Sequence, residues 1–298
     1  MTRPRSHIDR RALFASGAAA ALLAASGVSA GPGPTHGGRL RIALSGAVRT
    51  DSFDTRDANG LFMQVASIGA AFETLTEIAA DGTLRGELAV GWRGSPDAKV
   101  WEFDLRCEVP FHNGAIFSSV DVAASFALHR DGLLSDVAQV ETLRADLIRI
   151  TLAKSNADFP YHLASPQLVI YPASDMELAF KQGIGTGLYK THRYLPGRQF
   201  VGHRVDRHYK DGQAGWFDSI ELVSVPSAEV RAEALRDRFV DAADLPDARA
   251  LMEAADISVL PEAKFMTHAA HTSLTVPRRI GKHWPLDNLR AAERWWMA

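Results

Sequence analysis

Cysteine is almost absent from the sequence, and neither sign of charge dominates it. Cys107 is the only cysteine among 298 residues, which excludes an internal disulfide and a cysteine-rich zinc site. We expect it to be a small, partly buried apolar residue. The formal net charge of −2 lacks the basic excess that is typical of nucleic-acid-binding proteins. With 46% apolar and 23% charged residues, the composition predicts a globular chain with a substantial core.

Long hydrophobic runs are also lacking, because no segment reaches the roughly 20 strongly apolar residues that a membrane-spanning helix needs. The apolar stretch Ala12–Ala25 is short and rich in Ala; four arginines precede it, and the small residues Val28–Ala30 follow it. This order predicts a signal peptide over residues 1–30, a linker over 31–38 and an exported mature chain without a membrane span. Adjacent Arg10 and Arg11 resemble a twin-arginine leader, although Asp9 stands where that pattern prefers Ser or Thr.

Strand-like and helix-like hydrophobic patterns are interleaved along the rest of the chain. Alternation or short apolar runs predict strands over residues 39–46, 99–106, 146–153, 166–173 and 217–225. Apolar residues at three- and four-residue steps predict an amphipathic helix over 61–78. Ser227 is the predicted N-cap of a second helix that runs to Phe239. Strands interleaved with helices indicate a mixed α/β fold.

The segment Pro110–Phe126 (PFHNGAIFSSVDVAASF) has the residue types of an active site but the spacing of a turn followed by a helix. His112-Asn113-Gly114 is a turn by composition, and Ser118 and Asp121 have capping-box spacing. A serine hydrolase would need a nucleophile elbow such as G-x-S-x-G, which is absent, and no second metal ligand lies at suitable spacing from His112. We therefore predict that His112 is structural.

A second candidate motif is the pair His268 and His271. Their i,i+3 spacing would suit a metal site on a helix, but the flanking residues favour a strand, in which the two side chains face opposite ways. A metal site is the less favoured interpretation of this pair.

The order of the segments from Ala70 to Val225 resembles the family 5 extracellular solute-binding proteins. Their pattern contains YETL, a DG turn, P-x-LA-x-x-W, W-x-F-x-LR-x-x-V-x-FH-D-G and A-x-DV-x-x-SF. The matching residues are Phe72-Glu73-Thr74-Leu75, Asp81-Gly82, Glu87-Leu88-Ala89 with Trp92, Trp101-x-Phe103-x-Leu105-Arg106, Phe111-His112-Asn113-Gly114, and Asp121-Val122 with Ser125-Phe126. A second block, Gly185–Val225, is similar to the family's GTGPY turn and the segment after it. Asn113 departs from the usual Asp, and Cys107 and Pro110 replace polar or basic residues.

The resemblance implies a periplasmic-binding-protein-like (type II) α/β fold, with two lobes joined by a hinge. Residues 39–245 would form the first lobe, with a mixed sheet, and residues 246–298 the hinge return and the start of a second lobe that is largely missing. The implied function is capture of a peptide or similar small solute in the periplasm for the membrane subunits of an ABC importer. It implies neither catalysis nor a cofactor. The alternative is a truncated, non-functional or repurposed half receptor that acts only as an interaction protein.

Ligand-facing residues are expected where the first strand ends and at the hinge. The loop after the first strand carries Arg49, Asp51, Phe53 and Asp54, and the hinge carries Asp244. The ends of strands are where open α/β folds present polar groups to ligands. The alternative is that these residues are solvated loop charges. Two aromatic residues of the second block, Tyr189 and Trp216, are expected in the core rather than against a ligand.

Overall fold

The computed structural model describes residues 36–57, 60–79, 83–247, 251, 257–259 and 273–277. The predicted signal peptide, the His268 and His271 pair and the chain beyond residue 277 lie outside these ranges. Within them the protein is mixed α/β, as the interleaved patterns predict.

The larger sheet has seven strands, and its centre joins an early strand to two late ones. β1 (Arg39–Leu44) pairs in parallel with β10 (Ser219–Ser224) on one side and with β11 (Ala242–Leu245) on the other. The full order is β12 (Ile257–Val259), β13 (Ser273–Pro277), β11, β1, β10, β9 (Gln199–Arg204) and β8 (Tyr189–Leu195). Successive side chains of β1 enter different clusters: Ile42 packs in the main core and Ala43 in a smaller one with Leu235 and Leu245. Both faces of β1 are therefore covered.

Four antiparallel strands form a second sheet, in the order β4 (Ala89–Gly94), β5 (Val100–Leu105), β7 (Leu147–Leu152) and β6 (Val137–Arg144). The predicted alternation in β5 is confirmed, because Trp101, Phe103 and Leu105 are buried and the residues between them are not. Two short strands, β2 (Thr76–Ile78) and β3 (Leu84–Gly86), pair separately.

A row of alternating charges crosses the solvent face of the four-stranded sheet. Arg93, Glu102, Arg149 and Glu141 lie opposite one another on β4, β5, β7 and β6. Glu102 contacts Arg93 at 2.5 Å and Arg149 at 2.6 Å. Opposite charges on neighbouring strands favour this register and let the face remain in water.

The predicted helix over residues 61–78 is wrong beyond Ala71. α1 (Leu61–Ala66) continues into one π-helical turn, Ser67–Ala71, after which the chain is extended and enters β2. The backbone of residues 74–75 instead hydrogen-bonds with residues 87–89, and Thr74 N donates to Glu87 Oε2 at 2.8 Å. These long-range partners override the local helical periodicity.

Four other helices lie in the described ranges: α2 (Ser119–Ala127), α3 (Phe159–His162), α4 (Met176–Gln182) and α5 (Ala228–Arg236). The predicted cap of α5 is confirmed, because Ser227 Oγ accepts from Val230 N at 3.2 Å. Before α2, Ser118 N donates to Asp121 Oδ2 at 2.8 Å, which is the contact that the capping-box spacing predicts.

The predicted strand over residues 166–173 is wrong, although much of the segment is buried. Residues 168–172 pass through the core without joining a sheet, and turns lie on either side of them. Its N–H groups bind other partners: Ile170 N donates to Glu73 O at 3.0 Å, and Tyr171 N to Ser125 Oγ at 2.9 Å. An apolar run thus predicts burial but does not specify which groups satisfy the backbone.

Three single-residue expectations have mixed outcomes. Cys107 is exposed, contrary to the expectation of partial burial, because it lies in the turn after β5 beside Glu108, whose φ is 59°. Tyr189 lies in the core with 1% of its surface exposed, as expected. Trp216 is partly buried and packs against the same core.

Candidate functional site

The loop between β1 and α1, residues 45–60, carries four of the five predicted ligand residues. Its two ends meet at glycine backbone: a β-carbon added to Gly60 would lie 2.1 Å from the carbonyl oxygen of Gly46. The turn between β8 and β9 packs against the middle of the loop, because a β-carbon on Gly197 would lie 2.9 Å from Arg49 N. Backbone contacts at both places hold the loop against the larger sheet.

Arg49 and Asp51 have different environments within this loop. Arg49 is exposed, whereas Asp51 is only 6% exposed. Asp51 Oδ2 accepts from Val48 N at 2.8 Å, which closes a tight turn around Arg49. Burial raises the pKa of Asp51, and the hydrogen bond from Val48 opposes that rise. Asp51 therefore shapes the loop that presents Arg49.

Phe53 is a core residue, which corrects its assignment as a ligand contact. Its side chain is fully buried and packs against Tyr194, with ring centroids 4.7 Å apart, and against Phe72 at 5.8 Å. An aromatic ring in a polar loop is here an anchor for that loop, because its burial holds the backbone in place.

Asp54 is half-buried and pairs with Arg56 in the same loop. Arg56 Nε donates to Asp54 Oδ1 at 2.9 Å, and the side chain of Asp54 is 16% exposed. Burial alone would raise the pKa of Asp54, but the hydrogen bonds and charge of Arg56 outweigh it and lower that pKa below its usual value. The pair gives the loop a negative and a positive group side by side.

Asp244 is fully buried, so its assignment as a ligand contact is also corrected. Its Oδ1 accepts from Ser45 N at 2.9 Å, and its Oδ2 accepts from Ser45 Oγ at 2.6 Å. Arg231 of α5 lies 3.1 Å from Oδ1 and is 3% exposed. Both carboxylate oxygens therefore bind groups of the protein, joining the end of β1, β11 and α5.

Two tyrosines that the sequence analysis did not single out hold the same loop. Tyr194 OH donates to Asp51 O at 2.8 Å. Tyr171 OH donates to Phe53 O at 2.6 Å and accepts from Thr55 N at 3.1 Å. The loop carbonyls are 118 and 143 positions away from these hydroxyls, so no local pattern could have indicated the pairing.

His112 has the structural environment that its turn predicts. Its Nε2 lies 2.8 Å from Gly187 O, and its Nδ1 accepts from Gly185 N at 3.4 Å. These partners favour the neutral tautomer with the proton on Nε2. Burial is the main cause that lowers the pKa of His112. In the described ranges, no group of three or more His, Cys, Asp and Glu side chains is arranged to hold a metal ion.

A cluster of charges around Lys210 is a further feature that the sequence analysis missed. Lys210 Nζ lies 2.6 Å from Glu87 Oε1, 3.0 Å from Glu77 Oε2 and 3.5 Å from Glu73 Oε1. These contacts fasten the connection between β9 and β10 to the YETL-like segment. Their burial indicates a structural role rather than a solvent-accessible site.

The described residues therefore place one exposed cation, Arg49, and one half-buried ion pair, Asp54–Arg56, on the loop at the end of β1. Phe53 and Asp244 support this loop from inside. Such an arrangement can bind a solute through charge and hydrogen bonds. None of the helices in the described part of the chain has the length and apolar content to cross a bilayer.

The sequence matches known binding proteins over most of its length. Residues 83–290 match the family described as bacterial extracellular solute-binding proteins, family 5 Middle. The chain is 30% identical over 192 residues to the nickel-binding periplasmic protein of Escherichia coli (strain K12). It is 28% identical over 207 residues to di/tripeptide-binding protein 1 of Pseudomonas aeruginosa (strain UCBPP-PA14). The matches cover 60% and 57% of this chain but 36% and 38% of the relatives, so the chain spans well under half of their length.

Solved structures share the fold. A periplasmic binding protein from A. tumefaciens R10 in complex with agropinic acid matches with a TM-score of 0.68 at 26% identity, over 75% of this chain and 48% of that one. DppA from Helicobacter pylori in complex with the peptide STSA matches with a TM-score of 0.68 at 22% identity, over 77% of this chain and 51% of that one. The fold is thus periplasmic-binding-protein-like, and the chain belongs to the bacterial extracellular solute-binding proteins of family 5.

Proposed function

We propose that this protein is the periplasmic solute-binding component of an ABC importer and that it captures a peptide or similar small solute without chemical change. The family match over residues 83–290 is the observation that carries this proposal. One relative is named as a nickel-binding periplasmic protein, and the other is named as a di/tripeptide-binding protein. The same family membership supports the proposal that the solute is delivered unchanged to membrane subunits.

The loop after β1 is the proposed ligand-facing element of the described residues. Arg49 is exposed at a turn whose backbone Asp51 and Gly197 hold in place, so binding a solute there need not order that backbone. Guanidinium groups bind carboxylates through paired hydrogen bonds. We therefore propose a solute with a free carboxylate, such as a short peptide, with Arg49 as its partner and Asp54 beside it.

A thermal-shift screen of the full chain against short peptides and amino-acid derivatives tests the function. The screen should extend to several millimolar solute, because millimolar binding corresponds to only about −4 kcal/mol. A raised melting temperature followed by calorimetric saturation is the expected result. Failure of every solute to stabilise the chain at these concentrations contradicts the proposed function.

Arg49→Ala tests the proposed contact separately from the function. Loss of a charge-assisted hydrogen bond of about 1.5–3 kcal/mol should weaken binding of a carboxylate solute by roughly 10- to 100-fold. Arg144→Ala is a matched control, because Arg144 is exposed on β6 and pairs with Asp146. If the Arg49→Ala variant and the unmodified protein bind the solute with equal affinity, Arg49 is not part of the solute site, although the protein still binds solute.

A further inference from the structure

Two histidines stack on the outer side of the β8–β9 hairpin. The ring centroids of His192 and His203 are 4.1 Å apart, and the rings are inclined by only 11°. Both residues are exposed. They lie outside the loop after β1, and the proposed solute site does not use them.

A β-bulge accounts for the freedom of His192. The register pairs Thr191 with Gly202 and Arg193 with Val201, so His192 is the extra residue between them and has no cross-strand partner of its own. Bulges commonly redirect a side chain in this way. His203 belongs to the regular ladder, because Lys190 lies opposite it on β8 and Ser219 on β10. His203 thus lies on a regularly paired strand, beside His192 on the bulge.

The spacing of the rings suits two ligands of one metal ion. A metal–imidazole bond is about 2.0–2.1 Å long, so two ligating nitrogens of one ion lie at most about 4.2 Å apart. The 4.1 Å separation is between ring centroids, and the rings are nearly parallel, so both must turn out of the stack before one nitrogen of each can bind the same ion. Both side chains are exposed, which leaves room for this rotation. Neutral imidazole is a good ligand for copper, nickel and zinc ions.

We propose that His192 and His203 form a two-histidine surface site for a divalent transition-metal ion of the copper, nickel and zinc class, whose other positions are filled by water or a small chelator. The site is distinct from the proposed solute site, and neither depends on the other.

The surrounding charges specify the form of the metal that should bind best. Lys190 lies opposite His203, and Arg193 follows His192 in the chain. Both side chains are cationic and oppose the approach of a bare dication. They do not oppose an ion whose charge an anionic chelator has neutralised. A copper ion carried by iminodiacetate is such a neutral complex with positions left for two imidazoles, and copper forms the strongest complexes in its series.

Calorimetric titration with Cu²⁺–iminodiacetate tests the proposal on the full chain. His268→Ala and His271→Ala should be present in every sample, so that this other pair contributes nothing. Four proteins are compared: this background, the background with His192→Ala, the background with His203→Ala, and the background with His162→Ala as a matched exposed-histidine control. Electron paramagnetic resonance of the bound copper reports the number of coordinated imidazole nitrogens.

We expect one site with two imidazole nitrogens in the background protein and in the His162→Ala control. Loss of either paired histidine should weaken binding by at least the roughly 10- to 100-fold that removal of a supporting residue costs a metal site. Circular dichroism should show unchanged melting, because both positions are exposed. Absence of a two-nitrogen signal in the background protein, or equal affinity after His192→Ala or His203→Ala, overturns the proposal.

Discussion

The buried ion pair between Asp244 and Arg231 has little access to water. Arg231 donates from Nε to Asp244 O at 2.7 Å and from a terminal nitrogen to Val225 O at 2.6 Å, so its charge is well bonded. Ser45 supplies the remaining donors to Asp244. Removal of one partner from such a pair is costly because the other charge stays buried and uncompensated.

Asp244→Ala should therefore lower the free energy of unfolding by about 3–5 kcal/mol. Urea denaturation followed by circular dichroism measures this change. Asp146→Ala is the matched control, because Asp146 pairs with Arg144 on the exposed surface, and we expect no measurable loss there. Equal stabilities of the two variants would show that the Asp244 pair contributes no more than a surface pair.

His112 should make stability depend on pH in a defined direction. Its pKa lies below the usual value of about 6.5 because its ring is buried, and burial also lowers the pKa of His129. Below pH 6.5 the unfolded chain therefore binds protons that the folded chain does not. Stability is complete above this range and falls as the pH decreases through it.

Melting temperatures at about pH 7.5 and about pH 5.5 test the contribution of His112. His112→Gln should lower the melting temperature at the higher pH and reduce the difference between the melting temperatures at the two pH values. Part of that difference should remain, because His129 is still present. The exposed His162→Gln variant should behave as the unmodified protein does. An unchanged difference in His112→Gln would mean that His112 titrates alike in the folded and unfolded chains.

The sequence predicts some of these residue roles and not others. The turn at His112 is predictable because its immediate neighbours Asn113 and Gly114 specify it. The partners of the imidazole, Gly185 and Gly187, lie 73 and 75 positions away and are not predictable in this way. The burial of Asp244 depends on Ser45, which is 199 positions away, and that of Phe53 on Tyr194 and Phe72. Charge and loop context suggest an exposed ligand contact, and only the three-dimensional partners show otherwise.

At the scale of elements, the glycines of the Gly185-Thr186-Gly187 turn are explained by the π-helical turn against which they pack. A β-carbon on Gly185 would lie 2.1 Å from Ala71 O, and one on Gly187 would lie 2.1 Å from Ala70 O. Gly187 N also donates to Ala71 O at 3.0 Å. The family-like GTG motif thus permits two backbones to touch.

Gly187→Ala should destabilise the protein by roughly 2 kcal/mol or more, because the added carbon meets backbone that cannot move aside. Denaturant titration measures the loss. Gly91→Ala is the control, since a β-carbon on Gly91 has no atom within 4 Å, and its effect should be small. If Gly187→Ala loses no more unfolding free energy than Gly91→Ala does, the backbone of the π-helical turn can shift to accommodate the added carbon.

Local pattern predicts several of the strands and fails where distant partners determine the backbone conformation. The strands over residues 39–46, 99–106, 146–153 and 217–225 and the helix after Ser227 all exist, with shorter bounds. The helix over 61–78 fails at the π-helical turn because residues 74–75 pair with 87–89. The strands β4, β6 and β8 were not predicted, and a bulge interrupts the alternation in each pairing. The inner strand β9 was also not predicted, although its pairing with β10 is regular.

At the scale of the whole molecule, the order of motifs is sufficient to identify the family, whereas the assignment of lobes remains a prediction. The GTG turn illustrates how such a motif is tied to the fold, because its glycines permit a close backbone contact with Ala70 and Ala71. The bounds 39–245 and 246–298 depend on parts of the chain outside the described residues.

Export of the molecule is testable through the predicted leader. The mature protein should begin near Gly31 when it is isolated from the periplasm and its N-terminus is sequenced. Arg10→Lys together with Arg11→Lys should block export if the twin-arginine route is used, whereas export that continues would assign the leader to the general route. Accumulation of the protein in the cytoplasm with its leader intact contradicts the prediction of export.

The parallel pairing of β1 also imposes an order on folding during synthesis. Arg39 emerges from the ribosome early, but its partner Ser219 follows 180 positions later. At about 5–20 residues per second, translation takes roughly 9–36 s to supply that partner. Throughout this interval the apolar segment Leu40–Leu44 has neither of its neighbouring strands, so the central sheet closes only after nearly the whole described chain has been made. The larger sheet of the nascent chain therefore stays incomplete for most of translation, although all strands of the four-stranded sheet, which end at Leu152, have been made well before.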